Sequence, residues 1–265
     1  SDTRLFAKGG FFTSDRRANM VPVALSHERN PTSGEYPFVL NTGRVRDHWH
    51  TMTRSAKSPR LSSHMAEPFV EIHPEDAQQL GIEPATLIKV SSAHGDVILR
   101  ALVTARVQRG QLFAPIHWTS LWASKARVDS LVPSVTDPIS GQPELKRAAV
   151  QIKPYKVSCY GFAVSRSKPK PSTRYWAQAQ TKTGWRMEFA SVGSPLDFEQ
   201  FARAELDLAD AQAVTFSDAK RSLHRIAFVQ DRQIVGTMFI GAEPVALSRQ
   251  FVADQFDSEA DTSIL

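Results

Sequence analysis

Apolar positions in the first 155 residues come in short runs, each closed by a turn residue, and this spacing predicts strands rather than long helices. Tyr36-Pro37-Phe38-Val39-Leu40 is one such run, stopping at Asn41-Thr42-Gly43, a turn signature. Phe69-Val70-Glu71-Ile72 is another. His73-Pro74-Glu75-Asp76 then opens a short helix, with proline at the first helical position and acids in the first turn, and Leu80-Gly81 ends it. Residues 86–92 and 97–104 are rich in β-branched and alternating positions, and Ala93-His94-Gly95-Asp96 between them predicts a hairpin. Residues 112–116 and 148–153 read as two further strands. A half-dozen short strands with few helices implies a barrel or a sandwich.

After a soft break near residues 152–160 the pattern changes. Residues 160–165, 174–180 and 185–190 read as strands, and Lys168-Pro169-Lys170-Pro171 between the first two is loop punctuation. Ser194-Pro195-Leu196-Asp197 resembles a helix start with Ser194 as cap, and Phe198, Phe201, Ala202 and Leu206 follow at helical spacing. Residues 223–230 and 233–241 predict a hairpin around Asp231-Arg232. A last helix carries Leu247, Phe251, Val252 and Phe256. These stripes read as core faces of a small α+β unit. The division expected is therefore residues 1–155 as a β-rich domain and 156–265 as an α+β extension.

Composition narrows the classes. With 42% hydrophobic and 22% charged residues the chain is ordinary for a packed globular protein. No apolar run approaches the roughly 18 residues of a membrane span, so no membrane association is expected. The net charge of +5 lies wholly in the first part, which holds 19 Lys/Arg against 14 Asp/Glu in residues 1–155, while the remainder is balanced at 13 against 13. Arg44, Arg46, Arg54, Lys57 and Arg60 cluster there around a single acid, Asp47, an arrangement that attracts phosphates or an acidic partner. One cysteine, Cys159, excludes an intrachain disulfide and any cysteine-only metal or iron–sulfur site in this chain, and fits a reducing compartment. The opening Ser1-Asp2-Thr3 carries no leader pattern.

The informative stretch is Asn41-Thr42-Gly43-Arg44-Val45-Arg46-Asp47-His48-Trp49-His50-Thr51. It leaves a buried strand, where loops are held rigidly and binding groups tend to sit. Gly43 permits a positive φ and close approach to main-chain N–H groups, and successive N–H groups form a concave anion site. Arg44 adds a planar fork suited to phosphate or a ring carbonyl. The Thr42 and Thr51 hydroxyls, the His48 and His50 ring nitrogens and the flat Trp49 face complete the set. Alone, this describes a polyanion or nucleotide site. A zinc pair is disfavoured, because the two histidines share a side only in a strand and no third ligand is placed.

From Leu40 through Thr51, and on through Met52-Thr53-Arg54, the stretch closely resembles the molybdopterin-contacting loop of the molybdenum nitrate reductases. Lys57-Ser58-Pro59-Arg60-Leu61-Ser62-Ser63-His64 and Glu67 through Ala77 resemble the bacterial assimilatory branch in particular. Gly110 through Trp118, Ala126-Arg127-Val128-Asp129, Asp137 through Pro143 and Lys146 through Val150 continue the likeness in collinear order over residues 1–155. The resemblance implies a double-psi β-barrel that closes over a bis(molybdopterin guanine dinucleotide) molybdenum cofactor. It implies contacts from Thr42, Gly43, Arg44, Val45, Arg46, Asp47, His48, Trp49, His50 and Thr51, and from His117, Asp129 and Lys146. His117 and Asp129 depart from the periplasmic relatives, which carry Phe and Asn there, and Ser55-Ala56 stands where many relatives have Thr-Gly. Residues 160–256 resemble the extension that follows the barrel in some assimilatory enzymes, and residues 216–256 look like the C-terminal module of flavin-dependent pyridine-nucleotide reductases.

The same resemblance implies that the chain is the cofactor-gripping C-terminal part of a cytoplasmic nitrate reductase, not catalytic alone and with no catalytic residue or metal ligand of its own. The metal-ligating cysteine and a [4Fe–4S] cluster would lie in N-terminal domains, and an electron-donor protein or domain would supply the reduction of nitrate to nitrite. Three alternatives stand beside it. One is the same domain of another molybdopterin oxidoreductase such as a formate dehydrogenase. The second is a stand-alone barrel that binds a nucleotide or partner, and the third a basic structural domain with no ligand. Nucleic acid is not an expected partner.

Overall fold

The computed structural model describes residues 4–22 and 30–257; residues 1–3 and the last eight residues of the expected 156–265 extension lie outside the described residues. Six strands make a closed barrel: β1 (Phe38–Gly43), β2 (Phe69–Ile72), β3 (Leu87–Ser91), β4 (Asp96–Val103), β5 (Gln111–Pro115) and β6 (Ala148–Pro154), in the order β1-β5-β2-β4-β3-β6. β1 runs parallel to β5 and β2 parallel to β4, while the remaining pairs are antiparallel. A closed barrel of six short strands is the β-rich fold that the sequence implies, and closure removes the edges that would otherwise invite pairing. Inward positions Leu40, Val70, Ile72, Ile88, Val90, Leu99, Leu112 and Val150 are fully buried or nearly so. Each such side chain contributes about 1.5–3 kcal/mol of burial. Two helices, α1 (Pro59–Ser62) and α2 (Pro74–Leu80), lie before and after β2. α2 begins as expected, with Pro74 in its first turn, Glu75 and Asp76 behind it and Gly81 left-handed at its end.

One boundary differs in a way that matters for the site. The first strand does not stop at Leu40. It continues through Asn41 and Thr42 to Gly43, because Asn41, Thr42 and Gly43 pair with Phe113, Ala114 and Pro115 of β5. The chain turns only after Gly43.

The second sheet is antiparallel throughout, with β7 (Cys159–Ser165), β8 (Tyr175–Gln180), β9 (Trp185–Ser191), β10 (Gln212–Asp218), β11 (Leu223–Gln230) and β12 (Gln233–Gly241) in the order β10-β11-β12-β7-β9-β8. Helix α3 (Phe198–Leu206) buries Ala202 and Leu206 with Ala163, Met187, Phe189 and Phe228. Helix α4 (Arg249–Asp254) buries Val252 with Phe162, Val164 and Phe256. Since Phe162 and Ala163 point to opposite faces, the two helices cover the sheet from both sides, which is why every residue of β7 is buried. Two details differ from the sequence reading. The cap of α3 is Asp197, whose carboxylate accepts from the Glu199 and Gln200 amides, and not Ser194. β10 was not expected as a strand; its positions are mostly exposed and carry little alternation.

Barrel and second sheet share a seam. Residues 121–124 lie along the outer side of β8: Gln178 N–H donates to Trp122 O, Ser124 N–H donates to Trp176 O, and Ala123 bridges Ala177. Beside them Glu67 Oε1 accepts from Arg100 Nε at 2.9 Å, from Arg100 Nη2 and from the Tyr175 hydroxyl, and the Arg100 guanidinium stands 5.6 Å from both the Tyr160 and Tyr175 ring centres.

Candidate functional site

Barrel topology decides what surrounds the loop after β1. β5 lies parallel to β1 on one side, so residues 116–118 leave the barrel at the same end as residues 44–48. β6 lies antiparallel on the other, so the residues before Ala148 arrive there as well. Three chain segments far apart in sequence therefore meet. Thr42 Oγ1 donates to Leu145 O, Lys146 Nζ donates to Thr42 O, and Ile116 N–H donates to Gly43 O at 2.9 Å.

His117, wholly buried, ties both ends of the loop. Val45 N–H donates to its Nε2 at 2.9 Å, so Nε2 must be bare, and Nδ1, 2.6 Å from His50 O, must carry the proton. Burial holds this imidazole below the ordinary histidine range, aided by His48, Arg44 and His50, and only the bond to His50 O opposes it. His48 is also buried and fully engaged. Its Nε2 sits 2.7 Å from Met65 O and so is protonated, its Nδ1 faces Ser55 Oγ at 3.3 Å, and Ser55 Oγ in turn accepts from Trp49 N–H at 3.2 Å. The ring packs edge-on against Trp118.

The Thr42 hydroxyl, the His48 ring and both ring nitrogens of His117 have hydrogen-bond partners within the chain. One expectation is corrected here: Gly43 does not take a positive φ. Its reason is space: an ideal Cβ there would lie 2.5 Å from Cε2 of Phe113. The left-handed residues of the loop are His50 (φ 44°) and Met52 (φ 62°), sparsely populated backbone of the kind that clusters at binding sites.

What remains outward is a donor face. Among the described residues, the amides of Arg44, Arg46, Asp47, His50 and Thr51 find no acceptor in the chain. The Arg44 guanidinium is exposed, 5.3 Å from the Trp49 ring centre, and Trp49 is 58% exposed with His50 edge-on at 4.6 Å. Arg46 grips the Asp47 carboxylate through Nε and Nη2, both at 2.8 Å, and His64 Nδ1 lies 3.2 Å from the same carboxylate. The Arg46 fork holds Asp47 below the usual carboxylate range and neutralises its charge beside the amides. Lys146 adds an ammonium at the rim. This arrangement can hold an oxyanion through N–H groups and a guanidinium, and can stack a flat ring on Trp49.

Asp129 is not tied to this group by any hydrogen bond, ion pair or ring contact among the described residues. It lies in a 3-10 turn over Val128–Leu131, where burial raises its carboxyl above the ordinary range against the pull of Arg127. Ser55 is the residue that sequence reasoning missed as a site organiser; its place seven residues after His48 gave no signal by itself. Grooves of about 450 and 390 Å³ lie along the seam, lined by Arg60, Lys182, Arg186 and Arg249 and by Glu67, Pro84 and Arg100. Among the described residues no group of three or more His, Cys, Asp or Glu side chains could hold a metal ion, and no helix is long and apolar enough to cross a membrane.

The chain is 41% identical over 163 residues to a nitrate reductase of Klebsiella oxytoca and 41% identical over 157 residues to one of Synechocystis. It is 34% identical over 153 residues to the F420-dependent formate dehydrogenase subunit alpha of Methanocaldococcus jannaschii. These matches take in 61%, 58% and 58% of this chain but only 19%, 22% and 22% of those proteins, so the chain spans about a fifth of the length of the relatives it matches. Residues 38–149 match the model of the molydopterin dinucleotide binding domain, from the first residue of β1 into β6. The stretch of this chain that forms the barrel is thus similar to the molydopterin dinucleotide binding domains.

Proposed function

We propose that the chain is the cofactor-gripping portion of a molybdenum nitrate reductase of the assimilatory type, and that the loop after β1 holds the dinucleotide of a bis(molybdopterin guanine dinucleotide) cofactor. The observation that carries the reading is the donor face: amides of Arg44, Arg46 and Asp47 without acceptors among the described residues, with an exposed guanidinium and indole beside them. Phosphate oxygens suit the amides and Arg44, and a flat heterocycle suits Trp49. His50, Thr51 and Lys146 stand at the edge of that face. Thr42, Gly43, Val45, His48 and His117 shape it from within, and Asp129 is kept as a more distant contact.

When bound, the cofactor supplies the two-electron chemistry. This chain's residues orient its tail and place positive charge near an anion. Nitrate as substrate is favoured over formate because nitrate reductases stand at 41% identity against 34%, and an assimilatory nitrate reductase subunit of Bacillus subtilis is among the relatives, at 32%. Domains outside this chain would supply the metal ligand, the [4Fe–4S] cluster and the contact with an electron donor, in a cytoplasmic enzyme. Residues 1–155 and 156–265 are read as two domains, the second resembling the C-terminal module of flavin and pyridine-nucleotide reductases.

Titrating the 265-residue chain with molybdopterin guanine dinucleotide, and with guanosine diphosphate as its simpler end, tests the reading. A charge-assisted hydrogen bond is worth about 1.5–3 kcal/mol, so Arg44→Met should weaken binding by roughly 10- to 150-fold. Unchanged affinity in Arg44→Met, or no binding of either compound by the unaltered chain, refutes it. Substrate assays of the full-length parent separate nitrate from formate.

A further inference from the structure

His117 was expected to touch the cofactor, yet both ring nitrogens are spent on the loop itself. Nε2 accepts from the amide at the loop's start, Val45, and Nδ1 donates to the carbonyl near its end, His50. Only a neutral, Nδ1-protonated imidazole can do both. The residue cannot drift, because the chain that follows it is pinned. Trp118 is buried, residues 119–123 turn back on Thr119 O, and residues 122–124 are bonded to β8 of the second sheet. The clasp therefore draws its rigidity from residues outside the barrel.

We propose that His117 is a positioning residue that fixes the loop so that the amides of Arg44, Arg46 and Asp47 point outward, with β8 as its abutment. This rests on the cofactor reading of that loop. It assigns His117 no contact with the cofactor, and it gives the second sheet a part in shaping the dinucleotide site. A proton on Nε2 would set two donors against each other at Val45, and burial together with the Arg44, His48 and His50 side chains facing the ring from the loop disfavours that proton. The clasp is thus closed at neutral pH and opens on acidification.

The test uses the full 265-residue chain with nitrogen-15 label. Ring nitrogen shifts of His117 at pH 7 should show a protonated Nδ1 and a bare Nε2; the opposite tautomer or an imidazolium overturns the proposal. In His117→Phe the Val45 amide should exchange with solvent at least tenfold faster and guanosine diphosphate should bind more weakly. In His117→Gln, whose amide also offers one acceptor beside one donor, much of the protection should return. Equal exchange in His117→Phe and the unaltered chain overturns the proposal. If His117→Phe does not fold, the tautomer in the unaltered chain decides. Absence of nucleotide binding by the unaltered chain, with the tautomer and exchange as expected, counts against the cofactor reading and not against the clasp.

Discussion

Replacing Glu67 by alanine should separate the barrel from the second sheet energetically more than any other single change at the seam. Glu67 Oε1 serves three donors at once: two on Arg100, whose side chain is only 13% exposed, and the hydroxyl of Tyr175, which is buried. Burial disfavours the charge on Arg100, but Glu67 and the neighbouring Tyr175 and Glu188 more than offset it, and the guanidinium is held charged. Without Glu67 the guanidinium's one remaining hydrogen-bond acceptor among the described residues is Ala85 O, at 2.9 Å from Nη1. Breaking one side of a buried ion pair costs about 3–5 kcal/mol. Because Glu67 is itself 18% exposed, water recovers part of this and the lower end, about 3 kcal/mol, is expected. For a chain of this size that is a fall in Tm of roughly 6–12 °C. Urea unfolding followed by tryptophan emission reads it out, since Trp122 and Trp176 lie at the seam. The paired replacement Glu67→Leu with Arg100→Met removes both charges and should cost much less than Glu67→Ala alone. A loss under about 1 kcal/mol for Glu67→Ala, or a double variant as unstable as the single, refutes the reasoning.

Other expectations follow from the loop. Ser55→Ala leaves the Trp49 amide without its acceptor and His48 Nδ1 without its donor; a loss of about 1–3 kcal/mol is expected, with faster exchange at Trp49, and unaltered protection there would contradict the network. Gly43→Ala puts a methyl 2.5 Å from Phe113 Cε2, so the ring must swing and about 1–3 kcal/mol should be lost; adding Phe113→Leu should recover most of it in thermal unfolding. The pH dependence has a definite sign. The folded pKa of His117 lies below its ordinary 6.5, so the unfolded chain binds the proton more readily. Its contribution is complete above about pH 6.5 and declines as pH falls through the depressed folded value. Stability curves of the unaltered chain should show this loss and those of His117→Gln should show less of it; parallel curves would exclude the assignment.

Much of this fold was legible because barrel strands alternate and end at marked turns. The helix from Pro74 to Gly81 and the hairpins at Ala93-His94-Gly95-Asp96 and Asp231-Arg232 were readable residue by residue, the last with both turn residues left-handed as such a tight turn requires. β10 was not readable, since Gln212, Thr215, Phe216 and Ser217 are exposed and a strand stabilised by a ladder on one side needs no apolar alternation. The loop from Thr42 to Thr51 could be located, but not which of its groups face out. That depends on long-range partners: Leu145 O for Thr42, Met65 O for His48, and His117 for Val45 and His50. A local pattern cannot show that a polar side chain is already satisfied from seventy residues away. Gly43 illustrates the same point, since its glycine answers a ring on another strand and not its own backbone angle.

The contacts that build the donor face span 67 to 104 positions along the chain. No short fragment of the barrel can therefore display it: the face needs β1, the chain after β5 and the chain before β6 together. Whatever molecule it captures then rewards the whole closed assembly, by about 2.7 kcal/mol at a hundredfold excess over Kd. A ligand on this face therefore stabilises the closed barrel as a whole and not one strand of it.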